Sequence, residues 1–195
     1  MLRRILARAA FVVVVLLLGV GSALWMTRQQ LARGGVENGS WHTNEHIGSS
    51  AAGAYLRAGV ALGGLLALNK SETVYFTAFA DTEGAPLLSS CVYRVAGRDP
   101  ATRWWSITAY AADNYLIPEA EGRYSVDKAR VARGPDGSFA IHVGGEQQPG
   151  NWISAGVPSR KEPFSLTLRL YNPDPAVLAD LARVSLPRIV KERCT

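Results

Sequence analysis

Cysteine is scarce in this sequence, which has only Cys91 and Cys194 in 195 residues. Two cysteines are too few for a disulfide framework that replaces a hydrophobic core. In an oxidising compartment they could pair with each other, but a buried thiol and a free thiol stay open as alternatives, because a bridge requires a geometry that sequence does not show.

The motifs of common catalytic and cofactor chemistry are missing too. The sequence has no G-x-S-x-G elbow, no phosphate-cradling glycine loop and no HExxH motif. His42 and His46 lie four residues apart and would share one face of a helix, but the sequence offers no evident third ligand. We therefore expect no metal and no cofactor.

Acidic residues are absent from residues 1–34, where five arginines account for the whole net charge of +5. The remaining chain is neutral overall. It therefore lacks the basic surface that binding to a phosphate backbone requires, and we expect no nucleic-acid partner.

A long apolar run is present near the N-terminus. Residues 9–26 carry no charge, and a segment of this length can just cross a bilayer as a helix. A cleaved signal peptide is the alternative, but the run is longer than a typical signal-peptide core. Three arginines precede the run and two follow it, which favours an N-terminus inside the cell. We expect a single-pass protein of the bacterial inner membrane, with most of the chain in the periplasm.

After this run the sequence is first polar. It then shows the apolar spacing of a helix, and after that the apolar spacing of strands. We predict a membrane helix over residues 1–28, a linker over 29–43 and a β-rich domain over 44–195, with an early helix within Asn44–Lys70. Apolar and polar residues then alternate with a period of two, as in half-buried strands. The predicted strands lie near Thr73–Ala80, Leu88–Val95, Trp104–Ala111, Lys128–Arg133, Phe139–Val143 and Phe164–Tyr171, with a further short one at residues 151–153.

This spacing predicts a mainly β fold, an antiparallel β-sandwich or barrel. In the clearest strands Trp105, Ile107 and Ala109 face the core, as do Phe164, Leu166, Leu168 and Leu170. We expect a short helix at Pro175–Arg183, and we expect Pro187 to end regular structure.

Several blocks of the sequence resemble a bacterial family, domain of unknown function 1214. The blocks are residues 55–58, 72–76, 104–110, 123–125, 136–138, 151–153 and 168–173, and the likeness covers about residues 50–190. The resemblance implies a β-sandwich or jelly-roll-like domain in envelope or exported proteins, and it implies no activity. Many members carry a preceding domain of unknown function 1254, which has no room here. We therefore expect a separate companion membrane protein of that kind.

The candidate ligand residues lie on the outward faces of the predicted strands or in loops. Aromatic rings offer flat apolar platforms, and arginine offers a fork for carboxylate or phosphate. The residues are Trp104, Tyr110, Arg123, Trp152, Arg169 and Tyr171, with Arg94 on a further strand. Their alternative role is to cap the ends of the sandwich.

Two functions follow from these observations. We expect non-catalytic ligand binding or protein interaction in the envelope. The alternative is a hydrolase of an envelope glycan or small ester, using carboxylates of Asp113, Glu119 and Glu121.

Overall fold

The computed structural model describes residues 2–33, 35–118 and 122–195. In chain order its elements are helix α1 (Leu2–Arg33), strands β1 (Val36–Asn38) and β2 (Trp41–Thr43), helix α2 (Ala54–Leu62), strands β3 (Thr73–Ala78), β4 (Cys91–Gly97), β5 (Thr102–Ala111), β6 (Ser125–Asp127), β7 (Phe139–Gly144), β8 (Trp152–Ser154) and β9 (Phe164–Pro173), helix α3 (Pro175–Ala179), and strand β10 (Arg188–Cys194).

The strands form two sheets that enclose one core. The six-stranded sheet has the order β1-β2-β3-β9-β5-β6 and is antiparallel, and the four-stranded sheet has the order β10-β4-β7-β8, with β7 and β8 parallel. Phe76, Trp105 and Leu168 enter the core from the first sheet, and Tyr93 and Ile141 enter it from the second. The predicted mainly β architecture with an early helix is confirmed.

The alternation of apolar and polar residues in β5 and β9 explains why one face of each strand lies in the core. Their register places Ile107 opposite Leu168 and Ala109 opposite Leu166, and all four side chains are fully buried. Residues at odd and even positions point to opposite faces of a sheet. The other face of both strands therefore carries their serine, threonine, tyrosine and arginine side chains.

Helix α1 is long and apolar enough to cross a membrane. Its segment Leu2–Thr27 has 26 residues, and the most apolar 18 residues within it have a mean hydropathy of 2.4 and are not buried in the protein. A helix that is apolar all round and uncovered is expected to lie in lipid rather than in water. Near its C-terminal end α1 packs against α2, and Thr27 is buried there.

The predicted linker over residues 29–43 differs from the structure. Helix α1 continues to Arg33, and β1 and β2 then form the edge of the six-stranded sheet. Trp41 explains the ordered edge, because its ring is 1% exposed and its indole N–H donates to the Pro187 carbonyl at 2.7 Å. The glycine-rich composition of this segment predicts a linker, because composition does not show that Trp41 is buried.

The early helix is also shorter than the predicted Asn44–Lys70. Turns occupy residues 45–51, so that α2 begins at Ala54 and ends at Leu62. Gly63 and Gly64 end it, and Gly64 adopts a φ of +66°, which a side chain disfavours. His42 lies in β2 and His46 lies in a turn, so the two histidines do not share a helical face.

Two further differences concern strands. The predicted strand at Lys128–Arg133 begins as a turn, because the Asp127 carboxylate accepts the backbone N–H groups of Ala129 and Arg130 and ends β6. Regular structure also continues beyond Pro187, where β10 pairs with β4. Gly97 permits this pairing, since a Cβ there would lie 2.9 Å from the Pro187 Cα.

Candidate functional site

The outer face of the six-stranded sheet is polar but largely covered. Strand register aligns Thr77, Thr167 and Thr108 in one row across β3, β9 and β5. Thr167 and Thr108 are buried, although they face away from the core of the sandwich. The cover is α2 with the chain that follows it, where the Leu68 backbone N–H donates to the Tyr75 hydroxyl at 2.9 Å.

Arg169 lies at the centre of this face, between two tyrosines. Its guanidinium donates to the Tyr110 hydroxyl at 2.8 Å and stands 5.4 Å from the Tyr110 ring centre and 5.9 Å from that of Tyr75. Aromatic rings attract a cation through their negative faces and so fix the guanidinium without neutralising it. Within the described part of the chain, no carboxylate forms an ion pair with Arg169.

A cavity of about 1200 Å³ separates α1 and α2 from this face, and we call it the interlayer cavity. Its sheet side is polar and includes His42, Thr77, Tyr110, Ser165, Thr167 and Arg169. Its opposite side is apolar and includes Leu24, Leu56, Val60, Leu62 and Leu65, while Phe79, which directly follows β3, adds an apolar ring on the sheet side. Leu24, Leu62 and Phe79 are also largely exposed, so the mouth of the cavity lies beside them. Such a cavity suits an amphipathic ligand.

The sequence between β3 and the start of α3 decides the family. A model described as protein of unknown function (DUF1214) matches residues 72–175, just over half of the chain. The chain belongs to the DUF1214 family.

A solved structure adds likeness of fold. The VPA0106 protein from Vibrio parahaemolyticus is 23% identical with a TM-score of 0.58, over 71% of this chain and 35% of that chain. An uncharacterised protein from Burkholderia cenocepacia is 17% identical with a TM-score of 0.48, over 88% of this chain and 39% of that chain. This chain therefore spans little more than a third of the length of either protein. No functionally curated protein matches it.

The DUF1214 match contributes only one side of the interlayer cavity. Thr77, Thr167 and Arg169 lie inside residues 72–175, whereas Leu24 of α1 and Val60 of α2 precede them. Most of the polar side of the cavity is thus built by the matched residues, and His42 of β2 adds to it. The apolar side is built by α1 and by α2 with the residues that follow it.

Two of the six candidate ligand residues, Tyr110 and Arg169, line the interlayer cavity. Trp104 and Tyr171 face each other across β5 and β9, with ring centres 5.0 Å apart. They lie on the same sheet face as Arg169 but toward the other end of the strands, and they are not part of the cavity lining. This pair therefore stays a separate aromatic surface of the DUF1214 domain.

Arg123 and Trp152 form a third group. The Arg123 guanidinium lies 5.7 Å from the Trp152 ring centre, and the Trp152 indole N–H donates to the Gly144 carbonyl at 3.2 Å. Trp152 belongs to β8 of the four-stranded sheet. Arg94 is exposed on β4 of the same sheet, so the predicted ligand residues do not converge on one site.

Several lining residues were not singled out from the sequence. Ser165 and Thr167 alternate with Phe164, Leu166 and Leu168, and the polar face of such an alternating strand normally faces water. The sequence does show that β5 and β9 each carry hydroxyl side chains on the face opposite their apolar side chains. The contribution of Leu24 could not be inferred, because it depends on how α1 packs against α2.

The carboxylates of the predicted hydrolase have a different status. The Asp113 carboxylate accepts the Tyr115 backbone N–H at 3.1 Å, which is a local turn contact. Glu119 and Glu121 lie outside the described residues. Within the described residues, no group of three or more His, Cys, Asp and Glu side chains could hold a metal ion.

The displaced pKa values belong to groups that build the domain. Burial alone would raise the pKa of Asp127, but hydrogen bonds from the Arg130 side chain and from the Arg130 and Ala129 backbones, with the Arg130 charge, lower it below its usual range. Burial raises the pKa of Tyr93, whose hydroxyl accepts the Leu88 backbone N–H at 2.9 Å. Neither group lines the interlayer cavity, so both shifts reflect structure rather than ligand chemistry.

Proposed function

We propose that this DUF1214 protein is held in the bacterial inner membrane by α1, and that its domain lies in the periplasm and binds a small molecule in the interlayer cavity without converting it. The observation that carries the proposal is a cavity of about 1200 Å³ with one polar and one apolar side. A ligand there would contact the membrane helix and the DUF1214 domain together.

The proposed location is supported by charge and by redox chemistry. Arg3, Arg4 and Arg8 precede the apolar segment, and such residues are retained on the cytoplasmic side of a membrane. Cys91 and Cys194 form a disulfide between β4 and β10. Disulfides persist in the periplasm and are rare in the cytoplasm.

Binding without turnover is supported by the lining groups. The polar side of the cavity supplies hydroxyl groups and one guanidinium, which hold a ligand by hydrogen bonds. Glu37 is the one carboxylate among the described lining residues, and its side chain is 78% exposed. The alternative hydrolase uses a carboxylate as general acid or base, and that carboxylate must lie against the reacting atoms. The described lining offers no buried carboxylate for that role.

Native mass spectrometry of the full chain extracted from membranes tests ligand binding. We expect a bound small molecule on the wild-type protein and its loss in Val60→Trp, which fills the apolar side of the cavity. Ala58→Trp is the matched control, because Ala58 lies on the same helix but is exposed and outside the lining. A wild-type chain without any adduct, or an adduct unchanged by Val60→Trp, would contradict binding in this cavity.

A companion protein carrying domain of unknown function 1254 remains a proposal beside this one. It is supported by the family resemblance alone. Pull-down of the tagged full chain in mild detergent should recover it, and repeated recovery of the chain by itself would count against it.

A further inference from the structure

The interlayer cavity separates polar from apolar groups along one direction. Hydroxyl side chains and Arg169 lie on the sheet, and aliphatic side chains of α1 and α2 lie opposite them. A fully polar ligand would leave the aliphatic side chains without a partner, and a fully apolar ligand would leave the charge of the Arg169 guanidinium without a counter-ion. The occupant must therefore have a polar end and an apolar body.

The charge of the cavity points to the nature of the polar end. Arg169 and Glu37 are the charged residues of the described lining, which also includes His42. Glu37 is 78% exposed and lies 3.8 Å from the His42 Nδ1 atom, whereas Arg169 is only partly exposed and deeper in the sheet. The inner end of the cavity therefore carries one fixed positive charge.

The guanidinium has donors to spare for a ligand. Of its five N–H donors, one is used by the Tyr110 hydroxyl at 2.8 Å among the described residues. A guanidinium binds a carboxylate through two parallel hydrogen bonds. A phosphate monoester carries nearly two negative charges at neutral pH and would be only half neutralised here. One guanidinium matches one carboxylate.

The apolar side of the interlayer cavity extends from the region of Arg169 toward the apolar segment of α1. Leu24 lies within the apolar segment Leu2–Thr27 and lines the cavity, and Leu24 and Leu62 are exposed near its mouth. A volume of about 1200 Å³ exceeds that of pockets for compact ligands, which is roughly 300–1,000 Å³. The shape and lining suit a flexible hydrocarbon chain that starts at the membrane surface.

We infer that the interlayer cavity binds a long-chain fatty acid taken from the membrane, with its carboxylate on Arg169 and its acyl chain against α1 and α2. This inference rests on the proposed function, because it names the ligand of the same cavity. It adds a chemical class and an orientation. The same cavity could hold a different small molecule if the inference were wrong.

The experiment is photo-crosslinking of the full chain in phosphatidylcholine nanodiscs. The probe is palmitic acid with a diazirine midway along its chain, and the labelled residues are mapped by peptide mass spectrometry. We expect labelling of α2 and β9 at the cavity, in addition to labelling of α1 by probe dissolved in the lipid. The α1 labelling is an internal reference for the amount of probe in each disc.

Competition with unlabelled compounds tests the head group. Palmitate should remove the cavity labelling, while hexadecanol and lysophosphatidate should compete more weakly. Arg169→Gln should raise the palmitate concentration for half-maximal competition by about tenfold or more, since hydrogen bonds to a charged group contribute that much. Arg188→Gln is the control, because Arg188 is exposed on β10 of the opposite sheet.

Val60→Trp is a second variant, which keeps the inference testable if Arg169→Gln does not fold. It should remove the cavity labelling and leave the α1 labelling intact, and Ala58→Trp should change neither. Equal competition by palmitate and hexadecanol, or stronger competition by lysophosphatidate, would overturn the fatty-acid inference and leave ligand binding in the cavity standing. Labelling confined to α1 in the wild-type chain would overturn it too, and native mass spectrometry would then decide whether any small molecule is bound.

Discussion

Two charged residues of the six-stranded sheet, Asp127 and Arg169, have partners of different kinds. The Asp127 carboxylate accepts from Arg130 Nε at 2.6 Å and from two backbone N–H groups, so its charge is fully used in ending β6. Arg169 is held by Tyr110 and Tyr75, which are neutral groups. A charge neutralised within the fold contributes to stability, whereas one held by neutral groups is available to a ligand. This contrast separates the structural residue from the candidate binding residue.

The pH dependence of stability should report Asp127. Because its folded pKa lies below the ordinary value of about 3.9, its stabilising contribution is fully present above that value and is lost as pH falls through the folded pKa. Asp127→Asn should lower the free energy of unfolding at pH 7 by about 1–2 kcal/mol and flatten its decline below pH ~4.

Urea unfolding followed by circular dichroism between pH 3 and pH 7 measures both effects. Arg130→Gln is the companion variant, because it removes the cation and leaves the carboxylate. It should move the loss of stability to higher pH. An Asp127→Asn chain that loses stability with acid as steeply as the wild type would show that other groups dominate the acid response.

At the scale of secondary structure, the long strands were predictable, as was the three-residue β8, whereas the other three-residue strands were not. β5 and β9 have ten residues each, apolar and polar residues alternate in their central parts, and their centres fall where the sequence predicts. β1, β2 and β6 have three residues each, too few to show a period. β10 exists because it pairs with β4, about a hundred residues earlier, and local sequence does not contain that contact.

The same limit applies to the candidate site. Arg169 and Tyr110 were recognisable as outward-facing residues of two strands. Their meeting depends on β9 pairing with β5, and the cavity depends on α2 covering both strands. Strand order and helix docking are set by long-range packing. The residue types were thus readable from sequence, whereas their convergence required the structure.

Trp41 makes the edge strands a testable part of the domain. Trp41→Ala should lower the free energy of unfolding by about 3–5 kcal/mol, because it opens a cavity in the core and leaves the Pro187 carbonyl without its donor. Trp41→Phe should cost less, since the ring is retained. Urea unfolding of the full chain in detergent gives both values.

Tyr115→Ala is the exposed aromatic control, because Tyr115 is 74% exposed. It should change the free energy of unfolding by no more than about 0.5 kcal/mol. If Trp41→Ala were equally mild, β1 and β2 would not be part of the cooperative fold, and the predicted linker over residues 29–43 would be the better description.

At the scale of the whole molecule, the candidate membrane helix α1 and the domain are closely joined. Only residues 34 and 35 separate α1 from β1, and α1 packs against α2. A long flexible tether would let the domain move away from the membrane. The short connection instead holds the mouth of the interlayer cavity beside the end of α1. Orientation of α1 therefore decides the compartment of both the cavity and the Cys91–Cys194 pair.

The two cysteines offer a direct measurement of that orientation, because no other thiol is present in the chain. In cells denatured without reductant, a maleimide–polyethylene glycol reagent should not modify the wild-type chain, and after reduction it should add to both cysteines.

Substituting Arg3, Arg4 and Arg8 with Glu removes the charges that retain the N-terminus inside, so the domain should stay in the reducing cytoplasm and both thiols should react without reduction. The matched control substitutes Arg94, Arg103 and Arg188 with Glu. It changes the net charge equally on exposed parts of the domain and should keep the disulfide. Modification of the unreduced wild-type chain would contradict a periplasmic domain, and with it the access of the cavity to ligands from that side of the membrane.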